Sequence, residues 1–290
     1  MRVAVIGSAG QLGSDLIRVL YEAGSYDVVP LSRAELDVTD RQGVEKAIVS
    51  NGLDAVVNCA AFTRVEDCED EPARAFLVNA QGALEIARAC AHAGALCVYI
   101  STDYVFDGEK GAPYAEDDAV LPVNVYGVSK LAGEFLVRQA ASRWLIVRLA
   151  SLFGARGSRA KGGNFVETVL ARARAGLPLR VVNDITMSPT YTRDAAHALE
   201  ALIRSEATGV YHGANAGHCT WFEFAAAALE LAGVTAEIGA VGAASYPAKA
   251  RRPKNSSLDT RKLTQATGFS PRPWKAALRA YLIEKDYLKT

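Results

Sequence analysis

The chain opens with a short run, Arg2–Ile6, that stops at Gly7, and Gly10 and Gly13 follow at three-residue intervals, leading into an amphipathic stretch over residues 11–22. An apolar run of strand length, then glycines, then a 3.6-residue period specifies a strand, a tight turn and a helix. Gly7 permits the turn, Gly10 lets the backbone approach a pyrophosphate, and Gly13 lets the helix pack closely on the strand. The helix N-terminus offers an anion free N–H groups and the positive end of the dipole. A glycine triplet alone also fits an ordinary strand–helix turn. Its place at the head of a βαβ unit makes it a dinucleotide-binding signature.

The same alternation continues. Apolar runs at Arg2–Ile6, Asp27–Leu31, Ala55–Asn58, 96–100 and 145–149 are too continuous for one-sided strands and read as buried parallel strands. Helical patterns fill 11–22, 41–50, 72–93 and 125–141. The expected fold class is α/β, a doubly wound parallel sheet of Rossmann type with a smaller C-terminal substrate-binding lobe. After Ser151 the rhythm changes to a glycine-rich basic segment at 155–163, expected to be a mobile loop. A helix at 164–175, a strand at Leu179–Val182, a turn at 188–190, a helix at 193–204 and a strand at 210–212 follow. Trp221–Leu231 reads as a helix with Thr220 as its N-cap, and 245–257 has no period. Residues 1–150, with 191–212 returning to them, are expected to form the dinucleotide domain, and 151–190 with 213–290 the substrate lobe.

Charge excludes a class of partner. Lysine plus arginine and aspartate plus glutamate each number 32, and the one basic stretch is short, at 249–254, so no nucleic-acid partner is expected. No apolar run approaches the roughly 20 residues that span a bilayer, and the N-terminal run is too short for a signal peptide, so no membrane partner is expected. The cysteines, Cys59, Cys68, Cys90, Cys97 and Cys219, form no C-x-x-C pair and argue against disulfides or zinc. The expected compartment is the cytoplasm.

Two further patterns carry chemistry. Tyr126 and Lys130 are four apart at the start of the helix after the fourth strand, which puts both on one face. An ammonium beside a phenol is expected to lower the phenol's pKa and fit it to deliver a proton to a developing alkoxide. Thr102, in the segment following the fourth strand, places a hydroxyl at the carboxyl edge of the sheet, where ligands bind in open α/β folds. At the end of the second strand stand Ser32 and Arg33 in place of an acidic residue. A hydroxyl and a guanidinium suit a 2′-phosphate, so NADPH is expected with NADH also accepted. Arg33 also reads as a solvated loop residue. Asp37 is a candidate for the adenine end.

These elements together resemble the extended branch of the short-chain dehydrogenase/reductase superfamily. Within it the chain resembles the dTDP-4-dehydrorhamnose reductase family along nearly its whole length. The carrying segments are the glycine loop, V-N-C-A-A-F-T at 57–63, S-T-D-Y-V-F-D-G at 101–108, N-V-Y-G-V-S-K-L-A-G-E at 124–134, G-N-F at 163–165, S-P-T at 188–190, G-V-Y-H at 209–212, Thr220-Trp221 and R-P-K-N-S at 252–256. The resemblance implies NAD(P)H-dependent reduction of the 4-keto group of a nucleotide-activated deoxysugar, dTDP-4-dehydro-L-rhamnose giving dTDP-L-rhamnose. It makes Tyr126 the proton donor, Lys130 its electrostatic partner and ribose ligand, and Thr102 a hydrogen bond to the reacting carbonyl. For the cofactor it implies Gly7, Gly10, Gln11, Leu12, Gly13, Ser32, Arg33, Asp37, Val38, Asn58, Ala60, Ala61, Thr63, Asn79, Tyr126 and Lys130. For the nucleotide-sugar it implies Val65, Thr102, Asp103, Val105, Phe106, Leu152, Asn164, Trp221, Arg252 and Asn255. An aromatic plane and a guanidinium suit a base and a diphosphate. Trp221 also reads as a core residue at a helix start, and Arg251, Arg252 and Lys254 as a solvated loop.

The chain departs from the family at Leu152, where many members carry tryptophan against the sugar. Asp15 matches one carboxylate of the metal-bridged dimers some members form, but Arg193 stands where another is expected, so no metal site is expected and a homodimer stays open. Two other readings remain. One is a reductase, epimerase or dehydratase of another nucleotide-sugar, although dehydratases usually carry an acidic pair after the threonine where this chain has Asp103 and Tyr104. The other is a non-catalytic subunit of the methionine adenosyltransferase type.

Overall fold

The structure is a computed structural model and describes residues 1–156, 163–246 and 248–288. In its first half the apolar runs become β1 (Arg2–Ile6), β2 (Asp27–Leu31), β3 (Ala55–Asn58), β4 (Leu96–Thr102) and β5 (Trp144–Leu149). The intervening patterns become α1 (Gln11–Ala23), α2 (Arg41–Val49), α3 (Val65–Asp70), α4 (Pro72–Phe76), α5 (Gly82–Ala93) and α6 (Val125–Ala140). The second half adds β6 (Leu152–Phe153), α7 (Phe165–Arg174), β7 (Leu179–Val182), β8 (Thr186–Met187), β9 (Thr190–Tyr191), α8 (Thr192–Arg204), β10 (Gly209–His212), β11 (Cys219–Thr220), α9 (Trp221–Leu231), β12 (Ile238–Val241), α10 (Arg261–Thr267) and α11 (Trp274–Glu284).

Six strands form one parallel sheet in the order β10-β5-β4-β3-β1-β2. Chain order reverses between β1 and β3, and that switch opens a crevice at the carboxyl ends of the strands. Val3, Val5, Val57, Val98 and Val147 point to one face, where Leu16 of α1 and Leu199 of α8 cover them. Ala4, Ile6, Val56 and Ile146 point to the other, against Ile48, Ile86 and Val137. A second core joins Phe153, Leu170, Phe224, Trp274 and Tyr281 in the C-terminal half. There β7 pairs with β12, β8 with β11 and β6 with β9.

Two expectations change. The strand β2 is not buried on both faces: it is the sheet edge, and only Val28 of its five residues is buried. The pattern at 72–93 is not one helix, because Leu77–Gln81 widens into a π turn between α4 and α5. The wider turn aims the Asn79 side chain inward, where it accepts from Phe62 N–H at 2.8 Å and donates to Phe62 C=O at 3.1 Å and Ser129 Oγ at 2.9 Å. Most of the loop expected at 155–163 lies outside the described residues.

Candidate active site

The glycine loop folds as its spacing requires. Gly7 has φ of +79°, a left-handed conformation natural to glycine, and its N–H donates to Leu31 C=O at 2.8 Å. A Cβ on Gly13 would collide with the carbonyl of Gly7, and one on Gly7 would lie 2.9 Å from Ala60 N. Gly10 caps α1 with no side-chain partner for the first-turn amides, and Gly10, Gln11 and Leu12 line the crevice. Gln11 Oε1 is buried without a partner among the described residues. Bare amides at the start of a 13-residue helix, with no side chain in the way, form a cradle fit for a pyrophosphate.

The crevice widens into a cleft of about 1620 Å³ between the sheet edge and the C-terminal elements. Thr102 ends β4 and is buried; its Oγ1 accepts from Tyr104 N–H at 3.2 Å and donates to Asp103 Oδ1 at 3.0 Å. Tyr126 lies in the first turn of α6, which Asn124 caps by accepting from Gly127 N–H at 2.8 Å. Asn124 also donates to Arg251 C=O at 2.8 Å, which ties this helix start to the basic segment. One turn on, Lys130 is 1% exposed, and its Nζ sits 4.0 Å above the Tyr99 ring with no hydrogen-bond partner among the described residues. An unpaired ammonium facing a cleft is a ready donor for a ligand.

The electrostatics reverse one expectation. Burial pushes the Tyr126 hydroxyl above the ordinary tyrosine value, against a smaller downward pull from Thr102, so Lys130 does not lower it here. The phenol therefore keeps its proton at neutral pH. Burial brings Lys130 down to about 7, opposed by the charge of Glu134. Glu134, absent from the sequence-based expectations, is buried on α6, accepts from Ser101 Oγ at 2.5 Å and binds Arg148 through two hydrogen bonds of 2.9 and 2.8 Å.

Of the expected residues, Gly7, Gly10, Gln11, Leu12, Arg33, Asp37, Val38, Ala60, Ala61, Thr63, Val65, Thr102, Asp103, Tyr126, Lys130, Leu152, Asn164, Trp221 and Arg252 line one cleft. Others do not. Val105 and Phe106 are fully buried in a small core with Tyr114 and Leu258. Asn58 and Asn79 are buried and shape the loop beneath the cleft, with Asn58 Oδ1 accepting from Ala60 N–H at 3.1 Å. Gly13 packs under the loop, and Ser32 N–H is taken by Glu35 at 2.5 Å.

The basic segment does not face the cleft as a unit. Asn255 donates to the carbonyls of Lys110 and Ala112, and Arg251 and Lys254 do not line the cleft. Arg252 does, with its guanidinium 2.6 Å from Glu66 Oε1, while Lys249 pairs with Asp70 at 2.6 Å. Acidic residues of α3, which sequence periodicity did not reveal, hold the segment in place. Trp221 is only partly buried: it lines the cleft and packs on the second core, its ring 4.8 Å from that of Phe165. Sequence reasoning gave no site role to Arg74, Tyr104, Arg180, Tyr246 and Lys249, which also line the cleft; Tyr104 stands in the S-T-D-Y-V-F-D-G segment and Lys249 opens the basic stretch, whereas Arg74, Arg180 and Tyr246 belong to no recognisable motif. Asp15 hydrogen-bonds Thr192 and Arg193 pairs with Glu22; among the described residues no cluster could hold a metal ion. No helix of the described residues is long and apolar enough to cross a membrane.

A sequence model described as the RmlD substrate binding domain matches residues 1–286. The chain is 42% identical over 285 residues to the spore coat polysaccharide biosynthesis protein SpsK of Bacillus subtilis (strain 168), covering 98% of each. It is 36% identical over 290 residues to the dTDP-4-dehydrorhamnose reductase of Aggregatibacter actinomycetemcomitans, covering 96% of this chain and 97% of that one. Its fold superposes with a TM-score of 0.93 on the crystal structure of dTDP-4-dehydrorhamnose reductase from Bacillus anthracis str. Ames in complex with NADP, at 35% identity, covering 98% of this chain and 99% of that one.

Proposed function

The chain belongs to the RmlD substrate binding domain family, that of the dTDP-4-dehydrorhamnose reductases, and from that premise we propose that it reduces the 4-keto group of dTDP-4-dehydro-L-rhamnose to give dTDP-L-rhamnose with NADPH. The observation that carries this reading is the convergence of Thr102, Tyr126 and Lys130 on the cleft that begins at the glycine loop. NADPH, when bound, supplies the hydride. The α1 amides and Gly10 would hold its pyrophosphate, Arg33 its 2′-phosphate, and Lys130 its ribose hydroxyls.

The chain's own residues do the rest. Tyr126 donates its proton to the substrate's carbonyl oxygen as that oxygen gains charge, and its raised pKa ensures that the proton is present beforehand. Lys130, one turn along the same helix, stabilises the phenolate left behind. Thr102 donates a hydrogen bond to the same oxygen. Residues 1–150 with 191–212 form the dinucleotide half, and 151–190 with 213–290 hold the nucleotide-sugar through Trp221 and Arg252. Leu152 gives the sugar an aliphatic wall, suited to a deoxysugar methyl. Five free cysteines support a cytoplasmic setting.

The test is NADPH oxidation, followed by absorbance, against dTDP-, UDP- and GDP-activated 4-keto sugars. Turnover with the dTDP sugar at a kcat/KM at least tenfold above the others is expected. Equal rates across the panel, or turnover with free ketones alone, would contradict the substrate assignment.

A further inference from the structure

The Thr102 hydroxyl has one proton, and the structure assigns it to a neighbour. Oγ1 donates to Asp103 Oδ1 at 3.0 Å and accepts from Tyr104 N–H. Asp103 is 3% exposed and lines the cleft, and its Oδ2 is buried with no hydrogen-bond partner among the described residues. An ionised carboxylate only accepts, so it takes the Thr102 proton and leaves lone pairs facing a carbonyl oxygen. That arrangement repels the substrate atom Thr102 is meant to hold.

Resting on the reductase reading above, we propose that Asp103 is a positioning residue that works in its neutral form, donating to Thr102 Oγ1 and turning the Thr102 proton toward the substrate's carbonyl oxygen. The hydrogen-bond count then closes. The Tyr104 N–H and the Asp103 O–H fill both lone pairs of Oγ1, so the Tyr126 hydroxyl finds no acceptor on Thr102 and is directed to the same carbonyl oxygen. Asp103 keeps its proton throughout, and the proton that ends on the product comes from Tyr126. Burial raises the share of the neutral carboxyl: among the described residues no cation pairs with Asp103, and its pKa rises to about 6 against the opposing pull of the Ser256 and Thr102 hydroxyls, so the neutral form dominates only below about pH 6. The titratable groups facing it are Tyr126 from α6 and Tyr104 from its own turn, with Arg252 and Glu66 beyond Tyr104.

The test compares the pH dependence of kcat in the wild type, Asp103→Asn and Asp103→Ala. Wild-type kcat should fall by at least about tenfold between pH 5.5 and 8.5 as Asp103 ionises. Lys130, which titrates at about pH 7, acts alike in both proteins, so the ratio of Asp103→Asn to wild-type kcat reads Asp103 alone: Asn donates at every pH, and the ratio should rise at least about tenfold from pH 5.5 to 8.5. Asp103→Ala should be slower than the wild type at pH 5.5, where the neutral carboxyl is populated, with unchanged NADPH affinity. A ratio that does not change with pH would overturn the proposal. Infrared spectroscopy reads the same group without turnover: a carboxylic-acid carbonyl band, missing in Asp103→Asn, should disappear as pH rises through about 6. Its absence overturns the proposal even where turnover is normal. A titrating band in a protein that reduces no nucleotide-activated ketone supports the neutral carboxyl and contradicts the reductase reading instead.

Discussion

Lys130→Met should make the protein more stable and nearly inactive. The ammonium is 1% exposed and burial lowers its pKa from 10.5 to about 7. At about 1.36 kcal/mol per unit, the folded state bears a penalty on the order of 5 kcal/mol for that charge. Its position 4.0 Å above the Tyr99 ring returns about 1–2 kcal/mol. Methionine has similar length and no charge to bury, so a net gain of about 3 kcal/mol is expected at pH 7. The pH dependence follows from the sign of the shift. The folded pKa lies below the unfolded one, so between about pH 7 and pH 10.5 folding expels the Lys130 proton and wild-type stability rises with pH. Below pH 7 the penalty is fully present. Urea unfolding followed by tryptophan fluorescence should therefore show the variant about 3 kcal/mol more stable at pH 7, with the gap at least halved by pH 9.5. NADPH should raise the variant's stability less than the wild type's, because a ribose ligand is gone. A variant that is less stable than the wild type, or a gap that does not change with pH, would refute the reasoning.

Tyr126→Phe should lower kcat at least about 10²-fold while NADPH affinity by titration stays within about twofold. Arg33→Ala should weaken NADPH more than NADH, since the Arg33 side chain is 80% exposed at the cleft and Asp37, 3.9 Å away, is its one ion-pair partner among the described residues; equal losses in a binding titration would make Arg33 a surface residue. Arg252→Ala should raise the KM for the dTDP sugar at least about tenfold, because a charged hydrogen bond contributes roughly 1.5–3 kcal/mol. Loss of NADPH affinity with KM intact would show the two ligands to be placed the wrong way round.

Local signals made much of the fold legible. Trp221–Leu231 forms over its expected span because Thr220 and Glu223 build a reciprocal capping box. The glycine loop and the Tyr126–Lys130 pair fold as their spacings dictate, since both depend on one turn and one helix. What escaped is set by tertiary context. The π turn at Leu77–Gln81 breaks the 3.6-residue period on which the reading of 72–93 relied. The Glu134–Arg148 pair joins a helix to a strand, and Glu134 four residues from Lys130 looks like an ordinary charged helix face until Arg148 is seen beside it. The sign of the Tyr126 shift was missed for the same reason: spacing reveals Lys130, but not the burial that outweighs it. The expected cationic group at 251–254 became one guanidinium in the cleft, and there it is paired with Glu66, which lines the cleft beside it.

The most direct test of the central claim uses NADPH deuterated at carbon 4, on the face that is transferred, with dTDP-4-dehydro-L-rhamnose and the purified protein. Mass spectrometry should show one deuterium in the dTDP-sugar product, bound at carbon 4 of the sugar, formed by the wild type and reduced at least about 10²-fold in Tyr126→Phe. A product without deuterium, or equal incorporation by the Tyr126 variant, would contradict it.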